Sequence, residues 1–249
     1  QGHEPVVARL LEAGVDKDKA MQGGWTPLLM AAQHGHEPVV VRLLKAGADK
    51  DKARQGGFTP LLMAAQNGHE PVVARLLHAG ADKDKASEYG NTPLIMASKQ
   101  GHEPVVARLL GAGADKDKAD EDGATPLLIA AQNGHEPVVA RLLGAGADKD
   151  KADAGGATPL IMAALGGHEP VVARLLKAGA GKDEVDAYGA TPLLNAAENG
   201  HEPVVARLLE WKADKDKEDA HGATPLFIAA RNGHESVVAR LLEEKADID

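Results

Sequence analysis

The string GHEPVVARLL begins at Gly2, and a variant of it returns at Gly35, Gly68, Gly101, Gly134, Gly167, Gly200 and Gly233. The interval is 33 residues each time, with no insertion or deletion. So strict a period in a chain of 249 residues implies a stack of like units, each burying apolar surface against its neighbours, rather than one or two ordinary globular domains. The expected organisation is a single array over residues 1–249. A truncated unit occupies 1–20, and seven units begin at Met21, Arg54, Ser87, Asp120, Asp153, Asp186 and Asp219.

The unit from Asp120 to Ala152, DEDGATPLLIAAQNGHEPVVARLLGAGADKDKA, divides at its own punctuation. Thr125 followed by Pro126 predicts a helix start, with Thr as the capping residue and Pro in the first helical position. Asn133-Gly134 predicts the stop, because Gly takes positive φ without a Cβ penalty. A second helix opens at His135-Glu136-Pro137. Val138, Val139, Leu142 and Leu143 form its buried stripe, and Gly146 ends it. The remaining ADKDKA and the next DxxG read as an extended arm and a tight turn that pair along the stack, with Asp and Lys exchanging charge across neighbouring arms. Aromatics are 2% of the chain, so the core is expected to be Ala, Val, Leu and Ile, small enough for helices to approach closely.

Across the whole chain, TPLxxAAxxGHxxVVxxLLxxGADxxxxDxxGxTPL at period 33 resembles the ankyrin repeat. The resemblance implies an all-α repeat solenoid, a stack of antiparallel helix pairs with projecting β-turn arms. It also implies a concave side made by turns and first helices, and protein binding as the usual role. Three departures stand out. Leu29, Leu62, Ile95, Leu128, Ile161, Leu194 and Phe227 replace the His that usually follows Thr-Pro-Leu, and Phe227 is expected in the core. Arg9, Arg42, Arg75 and their equivalents stand at a usually aliphatic position. If buried, each needs a partner, expected to be the Glu of the turn motif or an arm Asp of a neighbouring unit. Lys212 and Lys245 replace the helix-ending Gly and are expected in a left-handed conformation.

Several chemistries are excluded. A zinc-protease helix needs a second His four residues after the first, and the residue there is Val7, as in every copy. Histidines of successive units stand on helices about 8–10 Å apart, too far to share one ion at about 2 Å. Each His is instead expected to bond backbone of its turn or of the preceding unit. The acidic stretch with Asp115, Asp117, Asp120 and Asp122 lacks the EF-hand spacing and is interleaved with Lys116 and Lys118. No Ser-His-Asp set or phosphate-cradling Gly loop stands out from the frame, so no enzyme, metal or cofactor is expected. With no Cys there is neither disulfide nor thiolate site, which leans towards the cytoplasm. No run of about 20 apolar residues predicts a membrane span, and the chain, opening in mid-pattern, is expected to be a soluble fragment and a monomer. A net charge of -9 argues against nucleic acid. Residues 1–119 carry net +1 and the remainder net -10.

Function is expected where the copies differ. Trp25, Phe58, Tyr89 and Tyr188 are assigned to turn tips, as exposed aromatic anchors. Gln33, Gln66, Lys99, Gln132, Leu165, Glu198 and Arg231 end the first helices and are expected on the concave side, with Met30, Met63 and Met96 as possible additional contacts. The predicted surface is an apolar, near-neutral groove over the units from Met21, Arg54 and Ser87, then an acidic groove from Asp120 containing Glu121, Asp122 and Glu198. The expected function is a non-catalytic scaffold for a protein or peptide partner. The alternatives are a designed or consensus-like repeat protein without a natural partner, and a mechanical spacer.

Overall fold

The computed structural model describes residues 2–247 and divides into two compact units, Gln1–Glu121 and Asp122–Asp249, taken here in turn. Unit 1 contains α1 (Glu4–Glu12), α2 (Pro27–Gln33), α3 (Glu37–Lys45), α4 (Pro60–Gln66), α5 (Glu70–His78), α6 (Pro93–Lys99) and α7 (Glu103–Gly111). Unit 2 contains α8 (Pro126–Gln132), α9 (Glu136–Gly144), α10 (Pro159–Leu165), α11 (Glu169–Lys177), α12 (Pro192–Glu198), α13 (Glu202–Glu210), α14 (Pro225–Arg231) and α15 (Glu235–Glu243). No strand occurs among the described residues. In each unit a seven-residue first helix packs on its own nine-residue second helix. First helices stack on first helices and second on second.

The first helices start as the sequence predicts. Thr59 Oγ1 accepts the Leu62 N–H at 3.2 Å and Thr191 Oγ1 the Leu194 N–H at 3.1 Å, with Pro60 and Pro192 in the first helical turn. The second helices have no such side-chain cap, and their His residues are used otherwise. The buried stripe is Val72, Val73 and Leu76 in α5, and Val204, Val205, Leu208 and Leu209 in α13. Lys212 and Lys245 adopt φ of 60° and 61°, the left-handed conformation expected of a residue in a helix-ending Gly position.

The ten-residue motif is a two-way connector. In unit 1 the Nε2 of His69 pairs with the Gln33 carbonyl at 3.0 Å and that of His102 with the Gln66 carbonyl at 3.1 Å. In unit 2, His168, His201 and His234 pair likewise with the carbonyls of Gln132, Leu165 and Glu198. Each His therefore satisfies a carbonyl at the end of the preceding first helix, one of the groups a helix C-terminus leaves open. The preceding Gly makes room. A Cβ on Gly68, at φ +74°, would lie 2.8 Å from the His102 ring. The Glu works in the forward direction. Glu37 accepts from Arg75 at 2.8 Å, Glu70 from Arg108 at 2.7 Å and Glu169 from Arg207 at 2.7 Å, so the Arg partner is the Glu of the preceding copy. These guanidiniums are not buried: the Arg75 and Arg108 side chains are each 53% exposed.

The arms correct one expectation. Their Asp and Lys serve backbone groups of the neighbouring arm rather than forming cross-arm ion pairs. Asp51 Oδ1 accepts the Asp82 N–H at 3.0 Å, and Lys85 Nζ donates to the Asp51 carbonyl at 2.9 Å. In unit 2, Asp183 Oδ1 accepts from Asp214 and Lys217 donates to the Asp183 carbonyl. The ion pairs lie between sequence neighbours, as in Lys182–Asp183 at 2.7 Å. Successive turns are joined by one backbone bond each, Glu88 N–H to the Gly56 carbonyl in unit 1 and Ala220 N–H to the Tyr188 carbonyl in unit 2.

Candidate functional site: a groove in unit 2

The tight turns place two kinds of aromatic residue, which the sequence reading had merged. Tyr89 and Tyr188 occupy the tip itself, at the position of His221, and are 61% and 74% exposed. Trp25 and Phe58 do not. They occupy the turn-closing position before Thr26 and Thr59, where unit 2 has the buried Ala190 and Ala223. Their carbonyls close the turns by accepting the N–H of Met21 and Arg54. The Arg54 guanidinium lies between the two rings, 4.8 Å from the Trp25 centroid and 4.3 Å from that of Phe58. Both rings are half-buried. This stack stands where unit 2 uses an Asp. Asp186 Oδ1 accepts the N–H groups of Tyr188 and Ala190, and Asp219 those of His221 and Ala223. Met21 and Arg54 cannot accept in this way, so ring and guanidinium packing brace the first two turns.

The first-helix ends divide their labour. The backbone carbonyls of Gln33, Gln66, Gln132, Leu165 and Glu198 belong to the frame, each held by a His from the following copy. Their side chains are what differ. Lys99 and Gln132 are exposed, Leu165 is 41% exposed, and Gln33, Gln66 and Glu198 are half-buried. The methionine row is mostly core: Met63 and Met96 are 4% and 8% exposed, and only Met30 reaches the surface at 38%. Close packing of α4 and α6 against neighbouring first helices covers the other two. Phe227 is corrected in the opposite sense. It is 57% exposed: burial at this position comes from the first helix of the next copy, as it does for Leu29 or Leu194, and among the described residues no further first helix packs on α14.

In unit 2 these elements enclose a groove of about 330 Å³. Its floor is the apolar cluster of Ala190, Leu194, Ala223 and Ile228. Tyr188, His221, Asp186 and Asp219 line it from the turns, and Glu198 and Arg231 from the ends of the first helices. The groove therefore gathers Tyr188 and Glu198. Glu121, in unit 1, and Asp122, in unit 2, are exposed, and neither lines it. Three carboxylates and one guanidinium line it. The Glu198 carboxylate is 3.9 Å from Arg231, whose guanidinium also lies 6.0 Å from the Phe227 ring centroid. The Ala223 N–H, with that of His221, holds the Asp219 carboxyl below its usual value against the opposing effect of burial. Asp219 thus keeps its charge well into the acidic range.

Of the residues that line the groove, the sequence reading foresaw Tyr188, Glu198 and Arg231; it missed Asp186 and Asp219, the residues of the apolar floor, and also His221 and Asn195. His221 shares the tip position of Tyr89 and Tyr188 and was findable by aligning the copies position by position. Asn195 stands in the column of Met30, Met63, Met96 and Ile228. Its Nδ2 donates to the Thr191 carbonyl at 3.1 Å, which leaves a polar edge in an otherwise apolar row.

Stacked helix pairs joined through turn backbone, with a groove formed by turns and first helices, define a repeat scaffold. The chain belongs to the ankyrin repeat family. The family model for three ankyrin repeats matches residues 1–87, 50–120, 83–153, 141–219 and 160–249. Among solved structures, the crystal structure of the human ASB11 ankyrin repeat domain is similar, with a TM-score of 0.82 at 27% identity over 90% of this chain and 100% of that one. Comparison with curated proteins gives no match. Proteins of this family are generally interaction scaffolds and typically non-catalytic. No helix among the described residues is long and apolar enough to cross a membrane.

Proposed function

We propose that this chain is a non-catalytic scaffold, acting as a monomer, for a protein partner. The unit 2 groove takes a segment of that partner bearing a cationic side chain. The observation that carries the reading is the exposed Tyr188 ring beside an apolar floor ringed by Asp186, Glu198 and Asp219. An arginine or lysine seated there gains a carboxylate and an aromatic face together, while its methylenes lie on Ala190 and Leu194. The acidic excess after residue 119 draws basic segments and repels nucleic acid and anionic membrane surfaces. In unit 1, taken by itself, Tyr89, Lys99 and Met30 are the exposed copy-specific side chains offered as contacts, and Trp25 and Phe58 brace their turns through the stack with Arg54.

The test is affinity capture on the immobilised chain, with Tyr188→Ala and Glu198→Gln beside the wild type. The wild type is expected to enrich a specific protein whose retention falls at least tenfold in each variant and weakens as salt rises. Retention that ignores both substitutions and salt would remove the groove from the account. A wild type that enriches nothing specific would remove the scaffold role.

A further inference from the structure

One arm of unit 2 departs from its neighbours. The arms on either side read ADKDKAD and ADKDKED, over residues 147–153 and 213–219, whereas residues 180–186 read AGKDEVD. Two of the departures remove a bond that the other arms make. Asp148 accepts the Asp150 N–H and Asp214 the Asp216 N–H, each at 3.1 Å, but Gly181 has no side chain to accept from Asp183. Lys217 Nζ donates to the Asp183 carbonyl at 2.6 Å, and Glu184, in the same column, cannot donate to the Asp150 carbonyl. The Glu184 side chain lies over Gly181 instead, where a Cβ would stand 2.6 Å from its Cγ. Val185 follows, 39% exposed and without a place in the core.

The loosened arm carries a sequence that an endopeptidase can read. Asp183 and Asp186 stand three residues apart, with exposed Glu184 and Val185 between them and exposed Ala187 after them. Caspases are cysteine endopeptidases that cut after Asp and bind a second Asp three residues earlier, each in a basic pocket. The neighbouring arms repeat this spacing, at Asp150 and Asp153 and at Asp216 and Asp219, but hold Lys151 and Lys217 in place of Glu184. A cation there opposes a basic cleft, and Lys217 also ties its arm to the preceding one. In the folded chain Asp186 Oδ1 accepts the N–H groups of Tyr188 and Ala190, and the Ala187 N–H donates to the Gly155 carbonyl at 2.9 Å. The segment must leave its neighbour before a protease can take it as an extended strand, and an arm with fewer bonds opens more often.

We propose that the Asp186–Ala187 bond is a regulatory cleavage site for a caspase-class cysteine endopeptidase, and that the two bonds missing from this arm are what make it accessible. The enzyme's thiolate adds to the Asp186 carbonyl carbon, and the C–N bond to Ala187 breaks as a proton passes to the Ala187 nitrogen. Water then hydrolyses the thioester, which restores the thiolate and leaves a carboxylate on Asp186. The cut separates Asp186 from the turn whose N–H groups it holds, the turn that presents Tyr188. Its effect on a partner rests on the groove reading, whereas the cut itself does not.

The test incubates the full chain with a recombinant caspase of Asp-Glu-Val-Asp specificity and reads the denatured fragments by mass spectrometry, with no partner present. Fragments 1–186 and 187–249 are expected. Asp186→Asn keeps an oxygen to accept the turn N–H groups but removes the charge, and is expected to slow the cut at least tenfold. Gly181→Asp with Glu184→Lys restores both arm bonds. A synthetic peptide of residues 180–191, with and without the same two changes, separates altered recognition from altered access. The cutting rate of the chain relative to the matching peptide is expected to fall at least fivefold in the double variant. An intact chain, cutting after Asp153 or Asp219 as fast as after Asp186, or an Asp186→Asn chain cut at the wild-type rate would overturn the site. An unchanged ratio of chain to peptide would overturn the role of the arm.

Discussion

Ser98 stands in a column that is otherwise Ala, as at Ala32, Ala65 and Ala131, and its Oγ is buried with no hydrogen-bond partner. A buried hydroxyl without a partner costs about 1–3 kcal/mol. Ser98→Ala is therefore expected to stabilise the protein by about 1 kcal/mol, read as a higher urea midpoint at unchanged slope. An unchanged or lower midpoint would show that the hydroxyl is satisfied in solution. Lys212, at φ 60°, supports a second prediction of the same sign. Replacing it with Gly relieves a left-handed Cβ and is expected to stabilise the protein by about 1 kcal/mol, less any lost contact of the lysine stem. This residue was legible in the sequence, because its column is otherwise almost all Gly and only φ > 0 explains that choice. Trp25 and Phe58 were not assigned correctly. Both precede a Thr-Pro, one position past the tip that Tyr89 and Tyr188 occupy, and the stack on Arg54 that buries half of each ring is a contact between turns that spacing alone does not give.

At the scale of the element, helix starts and stops followed from local chemistry, since Thr-Pro and Gly act within a few residues of themselves, and so did the stripe of Val138, Val139 and Leu142, although Leu143, expected with them, is only half-buried. What connects one copy to the next was only partly legible. The need of the Arg for a carboxylate was foreseen. That Glu37 rather than an arm Asp supplies it to Arg75 depends on which neighbour lies within reach. The arm Asp residues were already taken by backbone N–H groups. These two uses differ in strength. Thr59→Ala removes a buried cap and is expected to cost about 1–2 kcal/mol at any salt concentration. Glu70→Gln weakens a surface pair with Arg108 and is expected to cost under about 1 kcal/mol, less still in 1 M NaCl. Urea titrations in low and high salt separate them.

Proton linkage also belongs to the element. Burial first, and then nearby positive charge including the imidazoles of His34, His69 and His3, lowers the His36 pKa below 6.5. The unfolded chain therefore binds the proton more readily than the folded one. Stability from this group is present above the unfolded pKa and declines as pH falls through about 6.5 towards the lower folded value. His36→Gln is expected to flatten the fall in urea midpoint between pH 7 and pH 5. An unaltered pH dependence would assign that fall to other groups.

At the scale of the whole molecule, frame and message occupy different residues of the same repeat. The frame repeats because every copy meets an equivalent neighbour, and it was readable from the sequence alone. The unit 2 groove was less so. Tyr188 and Glu198 were named, but His221 and Asn195 join them only through packing of one turn and first helix against the next. Phe227 fails as a core residue for a related reason, since its burial would come from a helix pair beyond its own. The most direct measurement is therefore a paired one, urea midpoint and partner retention, for His201→Ala in the frame and Tyr188→Ala in the groove. His201→Ala leaves the Leu165 carbonyl without its partner and is expected to lower the midpoint. Tyr188→Ala is expected to lower retention at least tenfold at an unchanged midpoint. A Tyr188→Ala protein that unfolds earlier yet holds its partner as tightly as the wild type would contradict the division between frame and message.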